Sequence, residues 1–82
     1  MKTAPESPVG EMSIMDRSGH TELKWTVDRL DEIATAKETF DRLVGKGYSA
    51  FGSKTKAESK RVITEFDPTM EQVVMVPRIV GG

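Results

Sequence analysis

Cysteine is absent from this chain of 82 residues, and histidine occurs only once. Without cysteine there is no disulfide framework, thiolate metal site or cysteine nucleophile. The one histidine, His20, lies on the polar side of an alternating segment, and we expect a surface residue because metal ligands come in clusters. The sequence also contains no nucleophile motif of Ser, His and Asp and no glycine-rich phosphate loop before a helix. These absences predict a protein that is not an enzyme and uses neither a metal nor a cofactor.

Long apolar runs and a strong charge imbalance are missing as well. No segment approaches the length of a transmembrane helix, and Lys2 is not followed by the apolar core of a signal peptide. The formal net charge is −1, which argues against nucleic-acid binding because that function needs a basic footprint. The basic stretch 54–61 could bind phosphate, nucleic acid or an acidic partner, although its composition is also that of a solvated loop. We therefore expect a cytoplasmic protein without membrane or nucleic-acid partners.

The first third of the chain predicts a β-hairpin. Residues 1–10 contain two prolines, one glycine and one serine and have little to bury, so they are predicted to be a disordered leader. Residues 11–16 and 20–27 alternate apolar and polar side chains, which is typical of half-buried antiparallel strands, and residues 17–19 provide the turn between them. Trp25 is the largest apolar residue of the hairpin, so we expect it to pack against the following helix.

The centre of the chain predicts one amphipathic helix. Asp28 and Asp31 are both candidate N-caps, because an aspartate side chain can accept a hydrogen bond from a free helical N–H. With Glu32 they could also form a cation site, but capping and helix-dipole complementarity account for all three. Gly45 and Gly47 mark the helix end, with Gly47 the better candidate for a left-handed cap. The predicted apolar stripe is Ile33, Ala36, Phe40, Leu43 and Val44.

The remaining residues predict three more strands. Residues 48–53 form a short strand, residues 54–60 a polar loop, and residues 61–66 a second alternating strand. Asp67-Pro68-Thr69-Met70 predicts a type I turn, because proline pre-sets the backbone at its second position. Residues 71–76 are almost continuously apolar, which fits either a strand buried on both faces or one with an apolar contact surface.

The predicted order is therefore strand, strand, helix, strand, strand, strand. One helix packed on a mixed sheet of four to five strands is an α+β two-layer domain. It spans residues 11–77, follows the leader of residues 1–10, and precedes a flexible tail of residues 78–82.

The tail is the most distinctive part of the sequence. Residues 73–82 read Val-Val-Met-Val-Pro-Arg-Ile-Val-Gly-Gly, an apolar strand followed by a proline, an arginine and two glycines. Together with the element order, this segment resembles the ubiquitin-like proteins of the β-grasp fold. The tail is most similar to that of the bacterial sulfur carriers of molybdopterin and thiamine biosynthesis, and also resembles the tail of ubiquitin-like modifiers.

The resemblance implies chemistry at Gly81 and Gly82. In such proteins an E1-like, ATP-dependent activating enzyme adenylates the terminal carboxylate. A sulfur donor then converts it to a thiocarboxylate, or a thiol captures it as a thioester for transfer to an amine of a target protein. Arg78 could contact an acidic groove of the enzyme. The expected docking residues on the apolar side are Val74 or Met75, with Val76 and Ile79.

A second function fits the same sequence. A small interaction module, such as a phage or accessory protein, would bind a larger protein through its sheet or its apolar last strand and leave the tail unreacted. In that case, removal of Gly81 and Gly82 would not affect binding.

Overall fold

A computed structural model describes residues 9–16, 19–55 and 57–77. These residues form one helix and one five-stranded sheet with the strand order β2-β1-β5-β3-β4. β1 and β5 are parallel, and the other neighbouring strands are antiparallel. The elements are β1 (Val9–Asp16), β2 (Gly19–Thr26), α1 (Leu30–Gly45), β3 (Ser49–Ser53), β4 (Arg61–Ile63) and β5 (Gln72–Val76). The predicted α+β two-layer architecture is confirmed, and it is compatible with a β-grasp fold.

The N-terminal hairpin has the predicted pairing with a longer first strand. β1 begins at Val9, two residues before the predicted start, and pairs with β2 from Val9 opposite Thr26 to Asp16 opposite Gly19. Gly10 lies opposite Trp25 and is buried beneath its indole ring. The strand therefore extends into the segment that composition alone assigned to the leader. Residues 1–8 of that leader, and the turn residues 17 and 18, lie outside the described part of the chain.

The predicted aspartate caps of α1 are wrong. Arg29 occupies the N-cap position in an extended conformation and forms no side-chain capping hydrogen bond. Asp31 is already inside the first turn, where its carboxylate accepts hydrogen bonds from the Arg29 guanidinium at 3.3 Å. The Glu32 carboxylate instead accepts a hydrogen bond from the backbone N–H of Thr26 at 2.7 Å. The first turn of the helix is thus tied to the end of β2 by a side chain.

The helix ends in the predicted glycine cap. Gly47 has a φ of +100°, a conformation that costs glycine little. The N–H of Gly47 donates to the carbonyl of Val44, and the N–H of Tyr48 donates to the carbonyl of Leu43, each at 3.0 Å. This pair of bonds is a Schellman motif, which satisfies carbonyls left free at a helix end. It turns the chain back towards β3.

The core lies between the helix and one face of the sheet. Ala36, Phe40 and Leu43 are the buried residues of the helix, whereas Val44, predicted to be part of the same stripe, is 39% exposed. Trp25 contributes the largest fully buried side chain. The sheet adds Met12, Ala50, Val73 and Met75 to this core.

An aromatic cluster explains why β4 is shorter than predicted. The predicted strand runs to Phe66, but β4 ends at Ile63. Phe66 packs edge-on against Trp25, with ring centroids 4.9 Å apart, and lies 5.8 Å from Phe40. The Trp25 indole N–H also donates to the Pro68 carbonyl at 2.9 Å. The chain therefore leaves the sheet after Ile63, and its next apolar group packs into the core.

Candidate functional site

The last strand, β5, occupies the middle of the sheet. It pairs with β1 on one side and with β3 on the other, so both of its backbone edges lie against neighbouring strands. Pro77 directly follows β5 and is the last described residue. The predicted tail residues Arg78, Ile79, Gly81 and Gly82 lie outside the described part of the chain. A firmly paired central strand therefore leads directly to the segment that the sequence singled out.

The two faces of β5 differ. Val73 and Met75 point to the helix side and are completely buried. Val74 points to the opposite side and is half-buried, and Val76 on the same side is exposed. Of the two alternatives in the predicted docking surface, Val74 is the one that solvent or a partner can reach. Met75 belongs to the core.

Val74 is part of an apolar row that crosses the sheet on the face without the helix. Val74 lies opposite Phe51 of β3, and Phe51 lies opposite Val62 of β4. Val62 is 67% exposed, which is high for a valine in a strand. Met15 and Val76 are also exposed on this face, at neighbouring positions towards the end of β5. We call Met15, Phe51, Val62, Val74 and Val76 the outer patch.

The outer patch has a polar border. On the β1 side, Ser13 lies opposite Val74, and Glu22 of β2 lies opposite Ser13. On the same strand, His20 is 3.9 Å from the Glu22 carboxylate, and both side chains are largely exposed. On this side the patch therefore passes from an apolar centre to a polar border, as protein-binding surfaces do. Sequence reasoning found Val74 and Val76 but missed Phe51 and Val62, because only the strand register brings these residues together.

The basic stretch 54–61 is only partly available to a ligand. The Lys54 ammonium donates to the Asp67 carboxylate at 3.1 Å and to the Thr69 hydroxyl at 2.6 Å. Hydrogen bonds from the Thr69 hydroxyl and backbone N–H, with a smaller contribution from Lys54, lower the pKa of Asp67 below its ordinary value. This arrangement fixes the turn after residue 66 against the loop that follows β3. Lys54 is therefore a structural cation, and Lys56 lies outside the described residues.

Residues 9–16, 19–55 and 57–77 were also searched for a metal site and for a membrane-spanning helix. These residues contain no group of three or more His, Cys, Asp or Glu side chains placed to hold a metal ion. The search of the same residues for a helix long and apolar enough to cross a membrane found none.

Comparisons of the chain with models of protein families, with curated proteins and with solved structures found no match. The resemblance to ubiquitin-like proteins therefore rests on the sequence of residues 73–82 and on the order of the elements.

Proposed function

We propose that this protein is a ubiquitin-like modifier or sulfur carrier, activated at the Gly82 carboxylate by an ATP-dependent activating enzyme. The observation that supports this most is the position of β5. A central strand, paired on both sides, leads through Pro77 to a segment whose sequence ends in two glycines. On this proposal the chain is the substrate of an enzyme and contributes no catalytic group.

The geometry suits a tail that enters another protein's active site. Because β5 is paired on both edges, the end of the strand is a fixed starting point for the tail. Gly81 and Gly82 carry no side chains, so they could pass through a channel that would exclude larger residues. The outer patch reaches the same end of the sheet through Val76 and Met15, and would let the enzyme hold the domain while the tail reacts.

The chemistry proceeds in two steps that need no group from this chain other than the carboxylate. The Gly82 carboxylate oxygen attacks the α-phosphorus of ATP, and pyrophosphate leaves. A thiolate or a hydrosulfide-equivalent donor then attacks the acyl carbon and AMP leaves, which gives a thioester or a thiocarboxylate. A thioester would pass the acyl group to an amine of a target protein.

Intact-mass spectrometry after incubation with ATP and an extract of the source cells tests the proposal. We expect an adenylate, a thiocarboxylate or a conjugate that ends at Gly82. A variant with one alanine appended after Gly82 is the matched control, because it keeps the domain and both glycines but moves the carboxylate. Equal modification of both proteins, or none of either, would contradict the proposal.

The outer patch favours a second function, that of an interaction module that binds a larger protein with its sheet. Val62 is the most exposed residue of the patch, so Val62→Asp should abolish capture of the partner in a pull-down, whereas deletion of Gly81 and Gly82 should not. Leu30→Asp is the control, because Leu30 is 80% exposed but belongs to the helix. Loss of capture on removing the glycines would exclude this second function.

A further inference from the structure

The strand β2 forms one edge of the sheet. It is eight residues long and pairs only with β1, whereas β4 at the opposite edge has only three residues. A long edge strand presents backbone N–H and C=O groups that another strand can pair with. Its free side is therefore a candidate for β-strand addition.

The hydrogen bonds show which residues of β2 present their backbone groups to this edge. The N–H of Glu11 in β1 donates to the Glu71 carbonyl, towards β5 and away from β2. Lys24 lies opposite Glu11, so the N–H and C=O of Lys24 point away from β1. In an antiparallel ladder this direction alternates, so Glu22 and His20 share it with Lys24.

Thr26 confirms this direction and closes one end of the edge. Its N–H donates to the Glu32 carboxylate at 2.7 Å, and its C=O accepts a hydrogen bond from the Arg29 N–H at 2.9 Å. Both partners belong to the start of the helix and lie beyond the edge of the sheet. The part of the edge that a new strand can use is therefore the segment from His20 to Lys24.

The charges on this segment favour one particular strand, a second copy of β2 running antiparallel. With the two-fold axis at Glu22, each Glu22 would face the other Glu22, and each His20 would face a lysine. With the axis at Leu23, each Glu22 faces Lys24 of the other copy, which gives two pairs of opposite charge. Opposite charges across a pair of strands stabilise it, and like charges destabilise it.

The axis at Leu23 allows backbone pairing over residues 22–24. It does not extend further, because His20 then lies opposite Thr26, whose N–H and C=O are already bonded to the start of the helix. Glu22 and Lys24 are the residues that point to the edge, so each of the two Glu22–Lys24 pairs forms two N–H···O=C bonds. The two copies of Leu23 then form the closely spaced pair between them, on the face that carries the helix. Leu23 is half-buried in the single chain and packs against the core, so this contact would cover its remaining exposed surface.

We propose that β2 pairs with β2 of a second copy in this register, which joins the two sheets into one. The interface is short, so the dimer is weak and forms at high local concentration. This proposal concerns the opposite side of β1 from β5 and does not depend on activation of Gly82.

Sedimentation equilibrium of the full chain up to millimolar concentration, with charge variants at the edge, tests the proposal. Glu22→Lys and Lys24→Glu each turn both cross-strand pairs into like charges and should weaken the dimer about tenfold or more. The double variant restores both pairs with their signs exchanged and should recover the original affinity. An equimolar mixture of the two single variants should form a heterodimer, because both of its pairs are then of opposite charge.

Glu22 and Lys24 are both exposed, so the variants should unfold at the same temperature as the original chain. If either charge-reversal variant does not fold, Glu22→Gln and Lys24→Gln are measured instead, and each should weaken the dimer by a smaller factor. A monomer at every concentration would overturn the proposal, as would a dimer that the double variant does not restore. Amide shifts of residues 20–24 that appear only when an extended peptide of another protein is added would overturn the choice of a second copy.

Discussion

A methyl group on Gly10 would overlap with the indole ring of Trp25, so Gly10→Ala tests the packing of the hairpin. A Cβ at this position would lie 2.2 Å from Cε2 and 2.3 Å from Cζ2 of Trp25. The ring is held by a hydrogen bond to the Pro68 carbonyl and by an edge contact with Phe66. It therefore cannot move aside without losing one of these contacts.

The size of the effect follows from these contacts. Overpacking a core costs about 1–3 kcal/mol, and losing the Trp25 hydrogen bond costs about 1 kcal/mol more. We expect Gly10→Ala to lower the free energy of unfolding by about 2–4 kcal/mol, a large fraction of the roughly 5–15 kcal/mol typical of a domain. Urea unfolding followed by the fluorescence of Trp25, the single tryptophan of the chain, measures it directly.

Two comparisons separate this cause from a general effect of alanine. Gly45→Ala is the matched control, because a Cβ there meets nothing within 4 Å, and it should be neutral or slightly stabilising in the helix. In a Trp25→Leu background, followed by circular dichroism, Gly10→Ala should cost less because the ring is gone. A Gly10→Ala protein with unchanged stability and fluorescence would refute the reasoning.

Three further predictions concern the helix ends and the loop after β4. Gly47→Ala should destabilise the protein by about 1 kcal/mol in thermal unfolding, because its φ of +100° strains any residue with a Cβ; a neutral result would contradict the assigned cap. Glu32→Ala should cost about 1–3 kcal/mol in urea, because the Thr26 N–H loses its acceptor; Glu32→Gln, which can still accept, is the control and should cost less. Because the pKa of Asp67 is lowered in the folded protein, its carboxylate stabilises the fold at pH values above its ordinary pKa of 3.8. This stabilisation is lost as the pH falls through the lower pKa of the folded state. In Asp67→Asn, the free energy of unfolding should therefore fall less steeply as the pH is lowered below about 4. An unchanged pH dependence in this range would contradict the hydrogen bonds that Asp67 accepts from Thr69.

The periodic parts of the fold could be predicted from the sequence. Period-two alternation in residues 20–27 and a helical stripe through Phe40 are local signals, and both elements appear within a few residues of the predicted positions. Gly47 was also predictable, because a glycine two residues after a helix is typical of a left-handed cap. In each of these cases the information lies within one element.

The parts that could not be predicted depend on contacts between elements. Asp28 and Asp31 have the composition of caps, yet the helix start is fixed by Glu32 reaching back to Thr26. Phe66 continues an alternating pattern, yet its ring packs against Trp25 and the strand ends three residues earlier. Such choices are set by tertiary packing, which a local pattern does not contain.

The candidate site shows the same division. The sequence indicated the tail and the apolar character of β5, because both are continuous in the chain. Only part of the outer patch could be predicted, because Phe51 and Val62 are brought beside Val74 by the pairing of β3 with β5 and with β4. The free edge of β2 could be identified only from the directions in which individual backbone N–H and C=O groups point.

The most direct test of the proposed function is the mass of this protein isolated from the cells that make it. Intact and peptide-level mass spectrometry would show whether the mature chain ends at Gly82 and what is bonded to its acyl carbon. We predict a fraction that carries a thiocarboxylate at Gly82 or is joined through Gly82 to an amine of another protein. A chain that continues past Gly82, or one that always ends in an unmodified carboxylate, would contradict it.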